Sequence, residues 1–538
     1  MLHSKISKAL MVIIGVLYIT SCEENKKVVL NFPDTDLTQE SMIPMPLQIK
    51  ATNSAFALDQ FTGIYTSESS DDLIAVGAFL ADKIKSKTSL RLAVNETNTE
   101  TVDRVIFIHQ SEDAAFKSKE GYHLSIGKDT VMINAKTAEG AFRAVQTIRQ
   151  LVPDVSNDTI TDHKMWLIPT GDIKDDPNFE YRGAMLDVAR HFFSVEDVKR
   201  YIDLLAYYKI NVLHLHLTDD QGWRIEIKSW PKLTEIGGST EVGGESGGFY
   251  TQEEYTDIVN YAAERYMMII PEIDMPGHTN AASVSYPILN GNGKTPKLYE
   301  GMRVGFSTFD ARKDTVYTFI DDVVREIAAL TPGPYFHIGG DESHVTKKKD
   351  YVHFVNKVEK IVEKHGKRMI GWDEIANTDV SANSISQYWS SKENAQAAVK
   401  KKMKVILSPA KRAYLDMQYD SLSKHGLHWA AYIPVDAGYQ WTPEGFDDIP
   451  LDQILGIEAP LWSETISDIH ELEYLAFPRV IGYAELGWST EENRDWENYK
   501  VRLANQAPFL DRMEVNYYPS KLIDWKKNKY TYEPIRKD

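Results

Sequence analysis

Eight short apolar runs, each ending in polar residues and several followed by a helical pattern, constrain this chain more than any other feature. They are GAMLDV (183–188), NVLHLHL (211–217), MMIIPEID (267–274), YFHIGG (335–340), RMIGWDE (368–374), SISQYW (384–389), KVILSP (404–409) and ILGIEAPLW (454–462). Runs this dense in apolar residues suit parallel strands covered on both faces. Between them lie helices with readable starts: SVEDVKRYIDLLAYY opens on Ser194 and Asp197, and TQEEYTDIVNYAAER opens on Thr251 and Glu254, both spaced as capping boxes. TVYTFIDDVVREIAAL sets Phe319, Val323 and Ile327 on one face. Eight strand–helix units predict a (β/α)8 TIM-type barrel rather than an open sheet. Two units carry long insertions, near 229–250 and 409–450.

The barrel does not account for the start of the chain. LRLAVNE and RVIFIHQ read as strands, and GYHLSIGKDTVMINAKT as a hairpin turning at Gly127-Lys128-Asp129. AEGAFRAVQTIRQLV reads as a helix with Phe142, Val145, Ile148 and Leu151 on one stripe. These predict a smaller α/β domain over 42–175, ending near the turn-like Pro169-Thr170-Gly171, with the barrel over 176–510 and a tail, 511–538, packed on it. Residues 1–22 have Lys5 and Lys8, an apolar run from Ala9 to Ile19, and Cys22, the chain's one cysteine. That layout is a signal peptide with too short a run to span a bilayer, and one cysteine excludes a disulfide within the chain. ITSC resembles a bacterial lipobox, which implies lipidation of Cys22, a tether over 23–41 and a place in the cell envelope as an outer-membrane lipoprotein. The acidic EENKK after it resembles a surface-export signal.

In such a barrel the active groups sit where strands end and loops begin. The first strand runs into Asp187 and Arg190, the second into Asp219 and Asp220, the third into Asp274 and His278, and the fourth into Asp341 and Glu342. Trp372 and Trp389 lie at the ends of the fifth and sixth, Tyr414 and Asp416 follow the seventh, and Trp462 and Glu464 end the eighth. Acids, an arginine and indoles on one rim suit a sugar: indoles stack on pyranose faces and carboxylates accept from hydroxyls. A formal charge of −18 argues against nucleic acid.

Asp341 and Glu342 are adjacent, so their α-carbons are about 3.8 Å apart and their side chains diverge. They do not suit the two-sided arrangement of an ordinary glycosidase, whose carboxyls flank the anomeric carbon at about 5 Å or more. They suit two different atoms of one sugar: one acid on the bridging oxygen, the other on a substituent of the neighbouring carbon. A 2-acetamido sugar whose own carbonyl attacks the anomeric carbon requires that division.

HIGGDE (337–342) resembles the signature of glycoside hydrolase family 20, the β-N-acetylhexosaminidases. YRGAMLDVARHFF, NVLHLHLTDDQGWR, EIDMPGH, GWDEI, YLDMQ and APLWSE resemble further segments of that family, in order. The resemblance spans about 178 to 500, and the domain before it is similar to the family's non-catalytic domain. It implies an exo-acting, retaining enzyme with Glu342 as general acid/base and Asp341 on the acetamide. Arg190 would bind the 3- and 4-hydroxyls; Asp219 and His278 would form a relay to Glu342, with Asp274 orienting His278. Trp372, Trp389 and Trp462 would wall the sugar, Tyr414 would bind the acetamide carbonyl, and Asp416 and Glu464 would bind hydroxyls. The expected partner is an N-acetylhexosamine-terminated glycan.

The same residues admit three other readings. A metal site could draw on Asp274, His278, His337, Asp341 and His344. No H-E-x-x-H is present, and Pro276-Gly277 keeps Asp274 and His278 off a common helical face, so the expectation is no metal and no cofactor. A non-hydrolytic glycan-binding protein would lack one of the two acids, and both are present. A disaccharide-releasing relative stays open because the two insertions could reshape the site. Arg182, His214 and His216 read as structural, and His337 and His344 take no role.

Overall fold

The computed structural model describes residues 32 and 34–526 apart from 68–69, 97–103, 112–115, 157–163 and 292–293. The expected leader, Cys22 and residues 527–538 of the expected tail lie outside the described residues.

The N-terminal domain is a seven-stranded mixed sheet. Its strands are β1 (Gln48–Leu58), β2 (Gly63–Thr66), β3 (Val94–Glu96), β4 (Val105–Gln110), β5 (Tyr122–Ile126), β6 (Thr130–Ala135) and β7 (Trp166–Asp175), in the order β1-β7-β5-β6-β4-β2-β3. The β5–β6 hairpin turns at 127–129 as expected. Helices Asp71–Thr88 and Ala138–Leu151 pack on the sheet, and the second is buried along almost its whole length. Its Arg143 donates to the carbonyls of Arg265 and Tyr266 in the barrel, so this helix lies between sheet and barrel.

Three expected boundaries move. Pro169-Thr170-Gly171 is not a domain end: it lies inside β7, paired with both β1 and β5. The β1 register shifts between Ala51 and Ala55 opposite it, so the Pro and Gly mark a bulge rather than a turn. A Cβ at Gly171 would lie 2.1 Å from the Lys50 carbonyl, so the chains approach closely there. The tether is also shorter than residue 41, because Leu37 and Met42 are buried in the core of the N-terminal domain. At the other end the boundary at 510 falls inside helix Ala507–Arg512, and Val515 and Ile523 beyond it are buried in the barrel core.

The barrel strands are β8 (Tyr181–Asp187), β9 (Val212–His216), β10 (Met268–Glu272), β11 (Tyr335–His337), β12 (Arg368–Trp372), β13 (Ile385–Tyr388), β14 (Lys404–Leu407) and β15 (Ile454–Leu461). Each pairs in parallel with the next, and β15 closes on β8. Every residue of β8 and of β15 is buried, as continuous apolar runs require. Both capping boxes form: Ser194 with Asp197 and Thr251 with Glu254 each exchange side-chain and backbone bonds. Phe319, Val323 and Ile327 all face the core.

A buried charge cluster joins the two domains. Glu120 of the N-terminal domain bonds Arg143 beside it and Arg182 on β8. Lys209 of the barrel reaches Asp175 at 2.9 Å, and Trp488 Nε1 donates to the same carboxylate. Charges this deep are tolerated only when paired, so the two domains share one interior.

Candidate active site

The barrel mouth is built on a turn that few sequences permit. After β11, Gly339 and Gly340 take φ of 65° and 97°, and Glu342 takes 45°. A Cβ at Gly339 would lie 1.9 Å from Asp274 Oδ1, and that oxygen accepts the Gly340 N–H at 3.2 Å. The two glycines let the chain fold against Asp274 and reverse the direction of the two acids. His278 also has positive φ, 53°. A non-glycine residue pays roughly 1–2 kcal/mol for that conformation, and such strain gathers at functional sites.

His278 stands between the acids. Its Nε2 lies 3.6 Å from Asp341 Oδ2 and 3.7 Å from Glu342 Oε2, while Nδ1 bonds Asp219 Oδ1 at 3.1 Å. Burial alone would lower the His278 pKa, but Asp219, Asp274 and Asp341 outweigh it and keep the ring cationic. Burial pushes Glu342 up to about 7, with the neighbouring Asp341 charge adding to the effect. Glu342 therefore carries a proton near neutrality, as an acid catalyst must. Asp219 is held well below the ordinary carboxylate range: burial opposes this, but the Arg190 and His278 cations prevail. Asp274 differs from its expected role. It anchors Gly340, and burial, with the nearby Asp341, pushes its own carboxyl well above the ordinary range; the hydrogen bond that orients the ring comes from Asp219.

Across the mouth, Arg190 is fixed by Asp187 at 3.2 Å and Asp219 at 2.8 Å, and its guanidinium lies 4.8 Å from the Trp462 ring. Asp187 also takes the amides of Ala189, Arg190 and Ser463, tying the ends of β8 and β15 together. Burial raises the pKa of Asp416, aided by Glu464, and burial likewise raises Glu464. Arg190 Nε, Asp341 Oδ1, Asp416 Oδ1 and Glu464 Oε2 are buried without a protein partner. These four atoms at one rim leave hydrogen-bonding capacity that a polyhydroxylated ligand would take up.

The aromatic residues meet as one wall. Trp372 and Trp462 centroids are 5.7 Å apart, Tyr414 is 6.2 Å from Trp462, and Trp389 stacks on Tyr414 at 6.5 Å. Every site residue named from the sequence within the described chain lies on this rim; Cys22 lies outside it.

Several participants escaped the sequence reading. Glu374 accepts from Trp389 Nε1 at 3.1 Å and sets that indole. Trp429, in the 409–450 insertion, is 57% exposed and meets Trp389 and Tyr414 edge-on at 6.2 and 6.1 Å. Below the rim, His216 bonds Asp219 Oδ2 at 2.9 Å. The alternation in LHLH could have pointed to it, since His214 and His216 must share a strand face.

Comparison with known proteins agrees with this geometry. Residues 179–491 match the catalytic domain of glycosyl hydrolase family 20, and residues 39–176 match domain 2 of that family. A β-N-acetylhexosaminidase of Cellulomonas fimi is 38% identical over 490 residues, covering 90% of this chain and 97% of that protein. The solved family 20 β-N-acetylhexosaminidase of Streptomyces coelicolor A3(2) superposes with a TM-score of 0.86 at 44% identity, covering 92% of this chain and all of that one. A mutant Streptomyces plicatus β-hexosaminidase, solved in complex with its product GlcNAc, gives the same TM-score and identity over 92% of this chain and 99% of its own. The chain belongs to glycosyl hydrolase family 20.

Proposed function

We propose that this protein is an exo-acting, retaining β-N-acetylhexosaminidase that removes terminal β-linked GlcNAc or GalNAc by substrate-assisted catalysis. The observation that carries the reading is the adjacent pair Asp341 and Glu342, with the His278 cation between their carboxylates. In the first step Glu342 gives its proton to the glycosidic oxygen as the C1–O bond breaks. The acetamide carbonyl oxygen forms the new bond to C1, and Asp341 takes the amide N–H and faces the positive oxazolinium. In the second step water attacks C1 from the side the leaving group vacated, Glu342 recovers a proton, and the ring reopens. Two inversions give net retention. Glu464 lies near enough to Arg190 and Asp416 for their charges to act on it, and this polar cluster at the rim supports removal of a single terminal sugar. The lipobox-like ITSC supports attachment to the cell envelope through lipidated Cys22.

The test is turnover of aryl β-GlcNAc, β-GalNAc and β-glucoside substrates by the wild type, Asp341→Asn and Glu342→Gln. Glu342→Gln should lose most activity on poor leaving groups, and Asp341→Asn should lose activity on all N-acetylated substrates. Plain glucosides cleaved as fast as N-acetylated ones would refute substrate assistance. Anchoring is checked by fractionating cells that express Cys22→Ala: release of the protein from the membrane fraction is expected.

A further inference from the structure

Beneath the site, the barrel interior holds ionisable groups that the scheme above leaves unused. Glu272, at the end of β10, is fully buried. Its Oε2 takes His216 Nδ1 at 2.5 Å and lies 3.0 Å from His214 Nε2. Its Oε1 takes Trp372 Nε1 at 2.9 Å and lies 3.0 Å from His337 Nδ1. Three of these neighbours lead upward. Trp372 is part of the aromatic wall. His337 Nδ1 accepts the N–H of Gly339, which opens the turn carrying Asp341 and Glu342. His216 Nε2 bonds Asp219, which holds Arg190 and His278.

The two contacts of His216 fix its charge by geometry. Both ring nitrogens abut carboxylate oxygens, Glu272 on one side and Asp219 on the other. Burial opposes it, but neighbouring cations hold both Glu272 and Asp219 well below the ordinary carboxylate range; with both ionised, a neutral imidazole, having one N–H, would leave one of them facing a lone pair, so the ring is an imidazolium. The direction of its pKa agrees: burial would lower it, but Glu272, Asp219 and Asp187 hold it well above the ordinary value. Asp187 faces it from β8, Glu272 from β10 and Asp219 from the loop after β9, and Trp462 meets its ring edge-on at 4.9 Å. Glu272 in turn sees His214, His216 and His337, and His214 passes the chain on to Glu458 at 3.0 Å.

Barrel closure does not require this charge. One interior layer is built from Val212, Ile270, Ile370, Ile385, Ile406 and Leu455, and such branched side chains fill a barrel without ions. A buried carboxylate with its imidazoles is weak evidence for stability and better evidence for a device.

We propose that Glu272 is a positioning residue for the acid–base step: by keeping His216 doubly protonated under Asp219, it fixes the charge and orientation of the Asp219–His278 pair that faces Glu342. This rests on the function proposed above. Without the Glu272 charge, His216 drops its Nδ1 proton and Asp219 loses one of three cations. The two lost charges cancel in sum, but the cation lost is the one that touches Asp219 and Glu272 lies beyond it, so the local field at His278 and Glu342 becomes more negative; Glu342 then holds its proton to higher pH and releases it less readily.

The test uses the full-length protein with Glu272→Gln, His216→Gln and the double variant, assayed from pH 4 to 9 on an aryl β-GlcNAc glycoside. In Glu272→Gln the amide oxygen still accepts from Trp372, so the wall is kept while the charge is removed. Each single variant should lose about 10- to 100-fold in kcat, the usual effect of removing a supporting partner, with KM changed about threefold or less. In both, the alkaline limb of kcat/KM should move up by roughly half a pH unit or more. The double variant should shift no further than either single one, because the two act in series. If the alkaline limbs of the active variants coincide with that of the wild type and the loss of kcat follows lost thermal stability, Glu272 is scaffold and the inference fails. Should Glu272→Gln not fold, His216→Gln decides by the same criterion. Wild-type inactivity on N-acetylated glycosides would overturn the proposed function itself, and this inference with it.

Discussion

The poise of Glu342 can be tested without measuring catalysis. Its carboxyl ordinarily titrates near 4.5 and here titrates at about 7, chiefly through burial and then through Asp341. At ~1.4 kcal/mol per pH unit, the fold disfavours the ionised form by about 3 kcal/mol. The side chain is 27% exposed, so solvent screening takes little from that figure. The sign follows from linkage. With the folded pKa raised, the native state is favoured fully below 4.5, and that advantage is lost as pH rises through about 7. Glu342→Gln keeps the shape and removes the charge, so it should match the wild type near pH 4 and be more stable by about 3 kcal/mol at pH 8. For a unit of this size that is about 3–5 °C in Tm. Thermal unfolding of both proteins at pH 4.5, 6, 7 and 8 measures it, and the alkaline limb of wild-type kcat/KM should fall at the same pH, about 7. A difference in Tm that does not change with pH would show that Glu342 ionises freely in the folded protein. The account of it as an acid held protonated near neutrality would then be wrong.

The other predictions concern the turn, the domain junction and metals. Gly339→Ala places a Cβ 1.9 Å from Asp274 Oδ1 at a left-handed φ; kcat should fall about hundredfold or more with the far-ultraviolet circular dichroism retained. Burial would raise Glu120, but Arg182 and Arg143 pull it down to about 2, so its contribution is present above the ordinary 4.5 and lost as pH falls towards 2. Glu120→Gln, which leaves two buried guanidinium groups short of an anion, should destabilise the protein by about 3 kcal/mol in urea unfolding at pH 7; a loss under about 1 kcal/mol would refute that junction. Chelators should leave activity unchanged. In one histidine–carboxylate group, His214, Glu272 and His337, the histidine nitrogens already face the carboxylate at 3.0 Å. Inhibition by a chelator that added divalent ions reverse would refute this.

How far the sequence could be read depended on the range of the physics involved. All eight barrel strands were legible because burial on both faces leaves a continuous apolar run, a local signal. The rim residues were legible because a barrel puts strand ends at its mouth. Strands β1 and β2 and helix Asp71–Thr88 were not found; β1 shifts register between Ala51 and Ala55, which breaks the alternation a strand reading relies on. The layer under the site was hidden for a different reason. Asp187, His216, Glu272 and His337 stand side by side because Asp187 pairs with His216, and Glu272 with both histidines, in register. Register between strands that lie tens of residues apart cannot be read from any one of them. Asp274 shows the same limit: a family resemblance implied that it orients His278, and only the three-dimensional turn reveals that it holds Gly340.

The adjacency of Asp341 and Glu342 then has a physical use. In the proposed first step no net charge is created, but charge is separated: Glu342 becomes negative as it gives up its proton, and the acetamide becomes positive as its oxygen binds C1. The protein already holds the opposite pair in place: the His278 cation 3.7 Å from Glu342, and the Asp341 carboxylate, which the proposed scheme sets against the acetamide. Because the acids are neighbours, one imidazolium serves both, facing the Asp341 anion before the reaction and the new Glu342 anion during it. An arrangement fixed in advance in a dry site lowers the barrier because nothing must reorganise when the charge appears. That is why the ring cannot be allowed to turn or lose its proton, and why a chain of buried ions, His278 on Asp219, Asp219 on His216, His216 on Glu272, occupies a space that leucine would fill more cheaply.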